Sequence, residues 1–135
     1  DRAALFSNKR VRARAAFEGI TAGLAGNVAT MRRLGVPVSE VRLSGGGAKS
    51  PFWRAMCADM FDASVCLLAS DASGALGVAL LAAVGSGVFP SVDAACAATV
   101  RTRDRLAPDA ARTRSYAAVQ ARATLAAERA LRVRA

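Results

Sequence analysis

The residues of this sequence best suited to chemistry form a glycine-rich segment between a short strand-like stretch, in which polar and apolar residues alternate, and a helix start. The segment reads Ser44-Gly45-Gly46-Gly47-Ala48-Lys49-Ser50-Pro51. Glycine lets the backbone adopt positive φ and lets a ligand approach the main chain closely. Ser50 and Pro51 suit the N-cap and first position of a helix, whose unpaired N–H groups and partial positive charge favour phosphate. The segment therefore predicts a phosphate or nucleotide contact, with a plain glycine-rich turn as the alternative.

Two common phosphate-binding motifs are absent from this segment. A P-loop that ended at Lys49-Ser50 would need glycines at two positions that are Leu43 and Ala48. A dinucleotide-binding loop that began at Gly45 would need a glycine at the position of Ser50. The glycines alone therefore do not assign the ligand.

The sequence contains no histidine, which excludes Ser-His and Cys-His catalysis and histidine metal ligands within this chain. Its cysteines, Cys57, Cys66 and Cys96, lie 9 and 30 residues apart, so no pair has the spacing of metal ligands. Their odd number argues against a disulfide framework. We expect buried, reduced thiols and no metal site.

The net charge of +9 comes from the two ends of the chain. Residues 1–35 carry seven basic and two acidic groups, and residues 101–135 carry nine and three. Residues 36–100 carry three basic and five acidic groups. Because Tyr116 is the only aromatic residue in the last 35, a solvated arginine-rich helix face is favoured over nucleic-acid binding.

The most apolar stretch, residues 74–89, is shorter than the ~18–20 residues of a membrane-spanning helix. No apolar run follows the first charges as a secretory peptide requires. We therefore expect a cytoplasmic protein with no membrane contact.

Helices and short strands alternate along the chain. Residues 13–34 predict a helix with one apolar face, which we expect to be buried: Phe17, Ile20, Leu24, Val28 and Met31. The next elements predicted are strand 40–43, helix 51–61, strand 64–68, a helix from Ser73 to Val84, and a short helix capped by Ser91. Residues 101–113 read as a loop, and residues 115–131 as an alanine-rich helix.

Two strands joined through a helix must run parallel, which predicts an α/β fold. Two short strands are too few for an independently stable sheet. Their unpaired edges and the apolar helix faces lead us to expect that the chain is marginal as a monomer and either self-associates, with a homodimer as one form, or is loosely packed.

Several blocks of residues stand in a fixed order along the chain. They are Arg14-Ala15-Ala16-Phe17-Glu18-Gly19, Leu43 to Arg54 with Ala58-Asp59, Gly74-Ala75-Leu76-Gly77 with Ala79-Leu80-Leu81-Ala82, Pro108-Asp109-Ala110 and Tyr116-Ala117-Ala118. Together they resemble the C-terminal nucleotide-binding domain of the FGGY carbohydrate kinases, and within that family the xylulokinases most closely. The resemblance covers roughly residues 13–130. It departs from the family pattern at Arg12, Asp62 and Val78.

The resemblance implies part of a ribonuclease H-like ATPase domain of the actin, Hsp70 and hexokinase group, helix-rich with a short parallel sheet. It implies ATP and Mg²⁺ as cofactors, and transfer of the γ-phosphate of ATP to a sugar, D-xylulose, giving xylulose 5-phosphate. The nucleotide-binding residues that it implies are Gly45, Gly46, Gly47, Ala48, Lys49 and Ser50, with Gly74 and Gly77 supporting the adenine pocket. For Lys49, a solvated side chain without a role in binding is an equally good explanation. For Glu18 and Asp59, structural roles are favoured over roles in the site.

In that family the catalytic base, the metal cradle and the sugar-binding groups come mainly from the N-terminal domain. We therefore expect no catalytic residue and no metal ligand in this chain, which would be inactive alone and meet the sugar through that domain. Residues 1–12 read as an unmatched leader or truncation junction, 13–100 as the partial domain core, and 101–135 as a basic loop and terminal helix. The alternatives are a non-catalytic nucleotide-binding or helical interaction module and, more distantly, a basic nucleic-acid-binding protein.

Overall fold

The computed structural model describes residues 7–70 and 73–133, and these form helices around a small sheet. In chain order the elements are α1 (Lys9–Arg33), β1 (Glu40–Leu43), a 3₁₀ turn (Gly47–Lys49), α2 (Pro51–Phe61), β2 (Ser64–Leu68), α3 (Ser73–Gly85), α4 (Val92–Thr99), β3 (Thr102–Leu106) and α5 (Ala110–Val133). The helix-rich α/β class predicted from the sequence is confirmed.

The sheet is mixed, which corrects the expectation of a purely parallel one. β1 pairs with β2 in parallel, as predicted, with Val41 opposite Val65. β3 pairs with β2 in the antiparallel direction and gives the order β1-β2-β3. The prediction of a loop over residues 101–113 is therefore wrong. Every residue of β3 is exposed, so its sequence carries no apolar alternation that would indicate a strand.

Local capping explains where the helices begin and end. Ser50 and Ser91 accept from the amides of Trp53 and Ala94, which confirms both predicted N-caps. α1 begins before the predicted start because Asn8 caps it, accepting from the Arg10 amide at 3.0 Å. At the end of α2, Asp62 has a left-handed backbone with φ 47°, a conformation that aspartate tolerates better than most residues.

Helices α1, α2 and α5 pack together beside the sheet and enclose the core. The largest share of the core comes from α2, with Met56, Cys57, Ala58, Met60 and Phe61 buried. Asp59 is also buried, and its carboxylate accepts from the Asp109 amide at 2.8 Å and from Arg112 Nε at 2.5 Å. The structural role predicted for Asp59 is therefore confirmed: it ties α2 to the start of α5.

The face that α1 buries differs from the predicted one. Thr21, Ala22, Ala25 and Val28 are buried, whereas four of the five predicted residues are exposed: Phe17, Ile20, Leu24 and Met31. Small side chains let α1 approach α2 and α5 closely, and the larger side chains are left beside the contact. Only Val28 belongs to both faces.

The pair of helices α3 and α4 is more loosely attached to the rest of the chain. α3 and α4 pack mainly on each other, and the predicted register of α3 is confirmed, since Leu80 is buried and Leu76 and Val84 are half-buried. Within the described ranges, no helix combines the length and the apolar composition needed to cross a membrane.

Candidate functional site

The glycine segment lies where β1 ends, and the pairing of the strands decides what surrounds it. Because β1 and β2 are parallel, the end of β2 lies beside the segment. Because β3 is antiparallel to β2, the start of β3 lies at the same edge of the sheet. The loop, the end of β2 and the start of β3 therefore form one side of the domain.

The three glycines have different backbone and packing requirements. Gly45 has φ +83°, a conformation that L side chains rarely adopt. Gly46 has φ −60° and ψ −39°, which suit any residue, and a Cβ there would meet no heavy atom within 4 Å. A Cβ on Gly47 would lie 2.2 Å from Cζ3 of Trp53. A Cβ on Gly45 would likewise meet nothing within 4 Å, so open space is found at Gly45 and Gly46 but not at Gly47.

Trp53 fixes the loop against the helices. Its Nε1 donates to Thr21 Oγ1 at 2.9 Å, and that hydroxyl donates to the Phe17 carbonyl at 2.7 Å. Thr21 is fully buried, so α1, α2 and the 3₁₀ turn are joined at one point. Sequence reasoning assigned Gly47 to the nucleotide and missed its contact with Trp53.

The amides of the segment fall into two groups. Those of Ala48, Lys49 and Ser50 donate to the carbonyls of Gly45, Gly46 and Gly47 at 3.2, 3.2 and 3.0 Å. Among the residues that the structure describes, the amides of the three glycines have no backbone acceptor. They are the N–H groups that a phosphate oxygen would meet at this loop.

A narrow cleft and a larger hollow adjoin the loop. Ser44, Gly45, Ala48 and Lys49 line one side of the cleft, and Leu68, Ser70 and Arg103 line the other. The hollow has a volume of about 370 Å³ and shares Leu68 and Ser70 with the cleft, and pockets of ~300–1,000 Å³ commonly bind small molecules. Leu76, Thr99, Val100 and Arg101 complete its lining. Sequence reasoning missed Ser70. It also missed Arg103, which lies in β3, and Thr99–Arg101, which lie just before it, because the sequence predicts a loop in place of this strand.

The structure places the predicted site residues unequally. Gly45, Ala48 and Lys49 line the cleft, and Gly46 borders it along the chain. The Ser50 hydroxyl caps α2. A Cβ on Gly74 or Gly77 would meet nothing within 4 Å, so described residues do not make the close packing expected there. The nucleotide contacts of the loop and the supporting role of these two glycines stay predictions.

Two of the three cysteines are buried and poorly suited to act as nucleophiles. All three are free thiols; Cys57 and Cys66 are buried, as expected from the sequence, whereas Cys96 is only half-buried. Burial raises the pKa of Cys57 to about 11, so its thiol is protonated at neutral pH. Within residues 7–70 and 73–133, no cluster of three cysteine, aspartate or glutamate side chains could hold a metal ion.

Comparison with known proteins identifies the family to which this chain is related. The model of the C-terminal domain of the FGGY family of carbohydrate kinases matches residues 7–86. Xylulose kinase of Staphylococcus epidermidis is 35% identical over 97 residues, covering 72% of this chain and 20% of that protein. Xylulose kinase of Bacillus subtilis is 36% identical over 109 residues, covering 81% of this chain and 22% of that protein.

A solved structure supports the same fold. The crystal structure of ligand-bound xylulose kinase from Lactobacillus acidophilus superposes with a TM-score of 0.73 at 20% identity, over 87% of this chain and 24% of that one. This likeness shows the actin-like ATPase fold expected from the sequence. The chain spans about a fifth of the length of the curated relatives named above. It belongs to the FGGY family of carbohydrate kinases, whose C-terminal domain its residues 7–86 match.

Proposed function

We propose that this chain is the nucleotide-binding part of an ATP-dependent sugar kinase, with the loop Gly45–Ser50 against the nucleotide. The observation that carries the proposal is the open backbone at Gly46, beside a cleft and a hollow of about 370 Å³. A main chain without side chains at this position lets a phosphate or ribose approach the amides of the glycines. The family match supports a nucleotide as the ligand.

D-xylulose is the substrate that we propose for the complete enzyme, which would transfer the γ-phosphate of ATP to a sugar hydroxyl. The similarity to two xylulose kinases supports this sugar. The sugar would be bound by the N-terminal domain that such kinases contain. ATP is a cytoplasmic cofactor, and we propose the cytoplasm as the location.

Mg²⁺ would be held mainly outside this chain. Phosphoryl transfer requires a metal that neutralises charge on the phosphates and a base for the attacking hydroxyl. The described residues contain no acidic cluster that fits a metal, and Asp59, the buried carboxylate, is already paired with Arg112. We therefore propose that the chain binds nucleotide and does not phosphorylate sugar by itself.

Calorimetric titration of the chain with ATP and ADP tests the nucleotide site. Gly46→Val should fold normally, because the backbone at Gly46 suits any residue and its surroundings are open. Its branched side chain should abolish binding by filling the approach path. Gly26→Val on α1 is the matched control, since a Cβ there also meets nothing within 4 Å. Equal affinity of the unchanged chain and Gly46→Val would make the loop a plain turn.

Incubation of the chain with ATP, Mg²⁺ and D-xylulose tests the catalytic part. We expect no xylulose 5-phosphate above background. Product that depends on both ATP and the chain, and that survives a second purification, would contradict the proposal.

One observation favours a second function, a helical interaction module. The apolar side chains Phe17, Ile20, Leu24 and Met31 of α1 are exposed, as those of a docking helix would be. This reading predicts self-association or partner binding without any affinity for nucleotide. The same titration therefore separates the two candidate functions.

A further inference from the structure

β3 contains an irregularity at the point where it reaches the glycine loop. Leu106, Arg105 and Asp104 lie opposite Val65, Cys66 and Leu67, but Leu68 lies opposite Thr102. Arg103 is therefore the extra residue of a β-bulge, without a partner across the ladder. Bulges bend a strand and redirect a side chain, and they are frequent beside binding sites.

The charged neighbours of Arg103 all have partners. Arg105 pairs with Glu40, and Asp104 accepts from Arg54 at 2.9 Å. The guanidinium of Arg101 donates to the carbonyls of Ala97, Ala98 and Val100 at 3.0, 2.8 and 3.3 Å, which caps the end of α4. Arg103, by contrast, forms no side-chain hydrogen bond or ion pair with another residue in the described part of the chain.

Arg103 lines the cleft opposite Gly45 and Lys49. Lys49 and Arg103 are its only charged lining residues within the described ranges, and both are cationic. The cleft itself holds about 10 Å³, so a phosphate would lie at its mouth, where both side chains are exposed. The larger hollow adjoins this mouth and has room for the rest of a nucleotide.

We propose that Arg103, placed by the bulge, binds the phosphate groups of the nucleotide at the glycine loop. This inference rests on the proposed nucleotide site and adds a residue from β3 to it. A guanidinium presents several N–H donors in one plane and binds phosphate in a bidentate manner. The loop amides and Arg103 would then approach the phosphates from two sides of the cleft.

Calorimetric titration of the whole chain with ADP, adenosine and pyrophosphate tests the assignment. Arg103→Gln should weaken ADP binding by about tenfold or more, the loss expected for one hydrogen bond to a charged group. It should leave adenosine binding unchanged, and Arg103→Lys should restore part of the ADP affinity. Arg105→Gln is the control, because it removes the same charge from the same strand but from a residue that pairs with Glu40.

The outcomes separate this inference from the proposed function. Unchanged ADP affinity in Arg103→Gln, with loss of binding in Gly46→Val, overturns the role of Arg103 and leaves the nucleotide site in place. An equal loss in Arg105→Gln also overturns it, because the effect would then be one of net charge. If the chain binds neither ADP nor adenosine, the proposed function fails. In that case, pyrophosphate binding that is lost in Arg103→Gln would still support Arg103 as an anion-binding residue. If pyrophosphate does not bind either, both proposals are overturned.

Discussion

At the scale of single residues, the three glycines of the loop are required for different physical reasons. Gly45 provides a positive φ, Gly46 provides open space, and Gly47 avoids the ring of Trp53. The space around Gly45 and Gly46 is open, but only Gly46 combines it with a backbone that suits any residue. A side chain at Gly46 should therefore weaken ligand binding and leave stability unchanged, whereas a side chain at Gly47 should lower stability.

Gly47→Ala should lower the free energy of unfolding by about 1–3 kcal/mol, the usual cost of inserting a methyl group into a packed site. Its Cβ would lie 2.2 and 2.7 Å from two ring carbons of Trp53, whose position is fixed by the hydrogen bond to Thr21. Urea unfolding, followed by the fluorescence of this single tryptophan, measures the effect. Gly46→Ala is the matched control and should change stability little. Equal stabilities of the two variants would show that the Trp53 ring moves aside freely.

At the scale of secondary structure elements, the corner between β3 and α5 is held by two aspartates. Asp59 on α2 binds the Asp109 amide and Arg112. Asp109 in turn caps α5, since its carboxylate accepts from the amides of Ala111 and Arg112 at 3.0 and 2.9 Å. This arrangement starts α5 at Ala110, five residues before the position predicted from the alanine-rich pattern.

Asp109→Asn should make the stability of the chain less sensitive to acid. The hydrogen bond from the Arg112 amide, followed by the charge of Arg112 and the Ala111 amide, lowers the pKa of Asp109 in the folded chain. Its stabilising contribution is therefore complete above its ordinary pKa and is lost as the pH falls through the lowered value. Asparagine also caps helices but does not titrate.

Urea unfolding at stepped pH measures this difference. We expect Asp109→Asn to be the less stable protein at pH 7 and to lose less stability on acidification, so that the two profiles converge at low pH. The pKa of Glu40 is also lowered, mainly by its hydrogen bond with Arg42. Because Glu40 is present in both proteins, it contributes equally to the acid response of each. Parallel pH profiles would show that Asp109 does not contribute through its charge.

At the scale of the whole molecule, apolar side chains lie exposed along α1. Ile20 is 59% exposed, and Phe17, Leu24 and Met31 are exposed near it. Contiguous apolar surface of this kind usually marks a protein contact. The sequence-based prediction of self-association is consistent with this surface and stays a prediction, with a second copy of the chain as the expected occupant.

Ile20→Lys should shift the chain toward the monomer, because a charge at the centre of an apolar contact would be buried without a partner. Sedimentation velocity over a range of protein concentrations measures the association. Val78→Lys on α3 is the control, since it also replaces an exposed apolar side chain in a helix, but away from α1. A chain that is monomeric at every concentration, or an equal effect of Val78→Lys, would contradict the prediction.

The sequence by itself determined the features that depend on neighbours along the chain. The Ser50 and Ser91 caps, the two parallel strands, the extent of α2 and the loop between Leu43 and Pro51 all follow from local residue chemistry. The resemblance to the FGGY family was likewise found from the sequence alone, because it rests on blocks of residues in a fixed order along the chain.

Tertiary structure alone decided which face α1 buries, that residues 102–106 form a strand, and that Arg103 reaches the glycine loop. The physical reason is the same in each case: the outcome depends on which residues from distant parts of the sequence lie beside the element. α1 buries the small side chains that permit close approach to α2 and α5, although its larger apolar side chains lie on another face. β3 exists because β2 offers it an edge to pair with, and its own exposed, charged residues carry no pattern that predicts a strand.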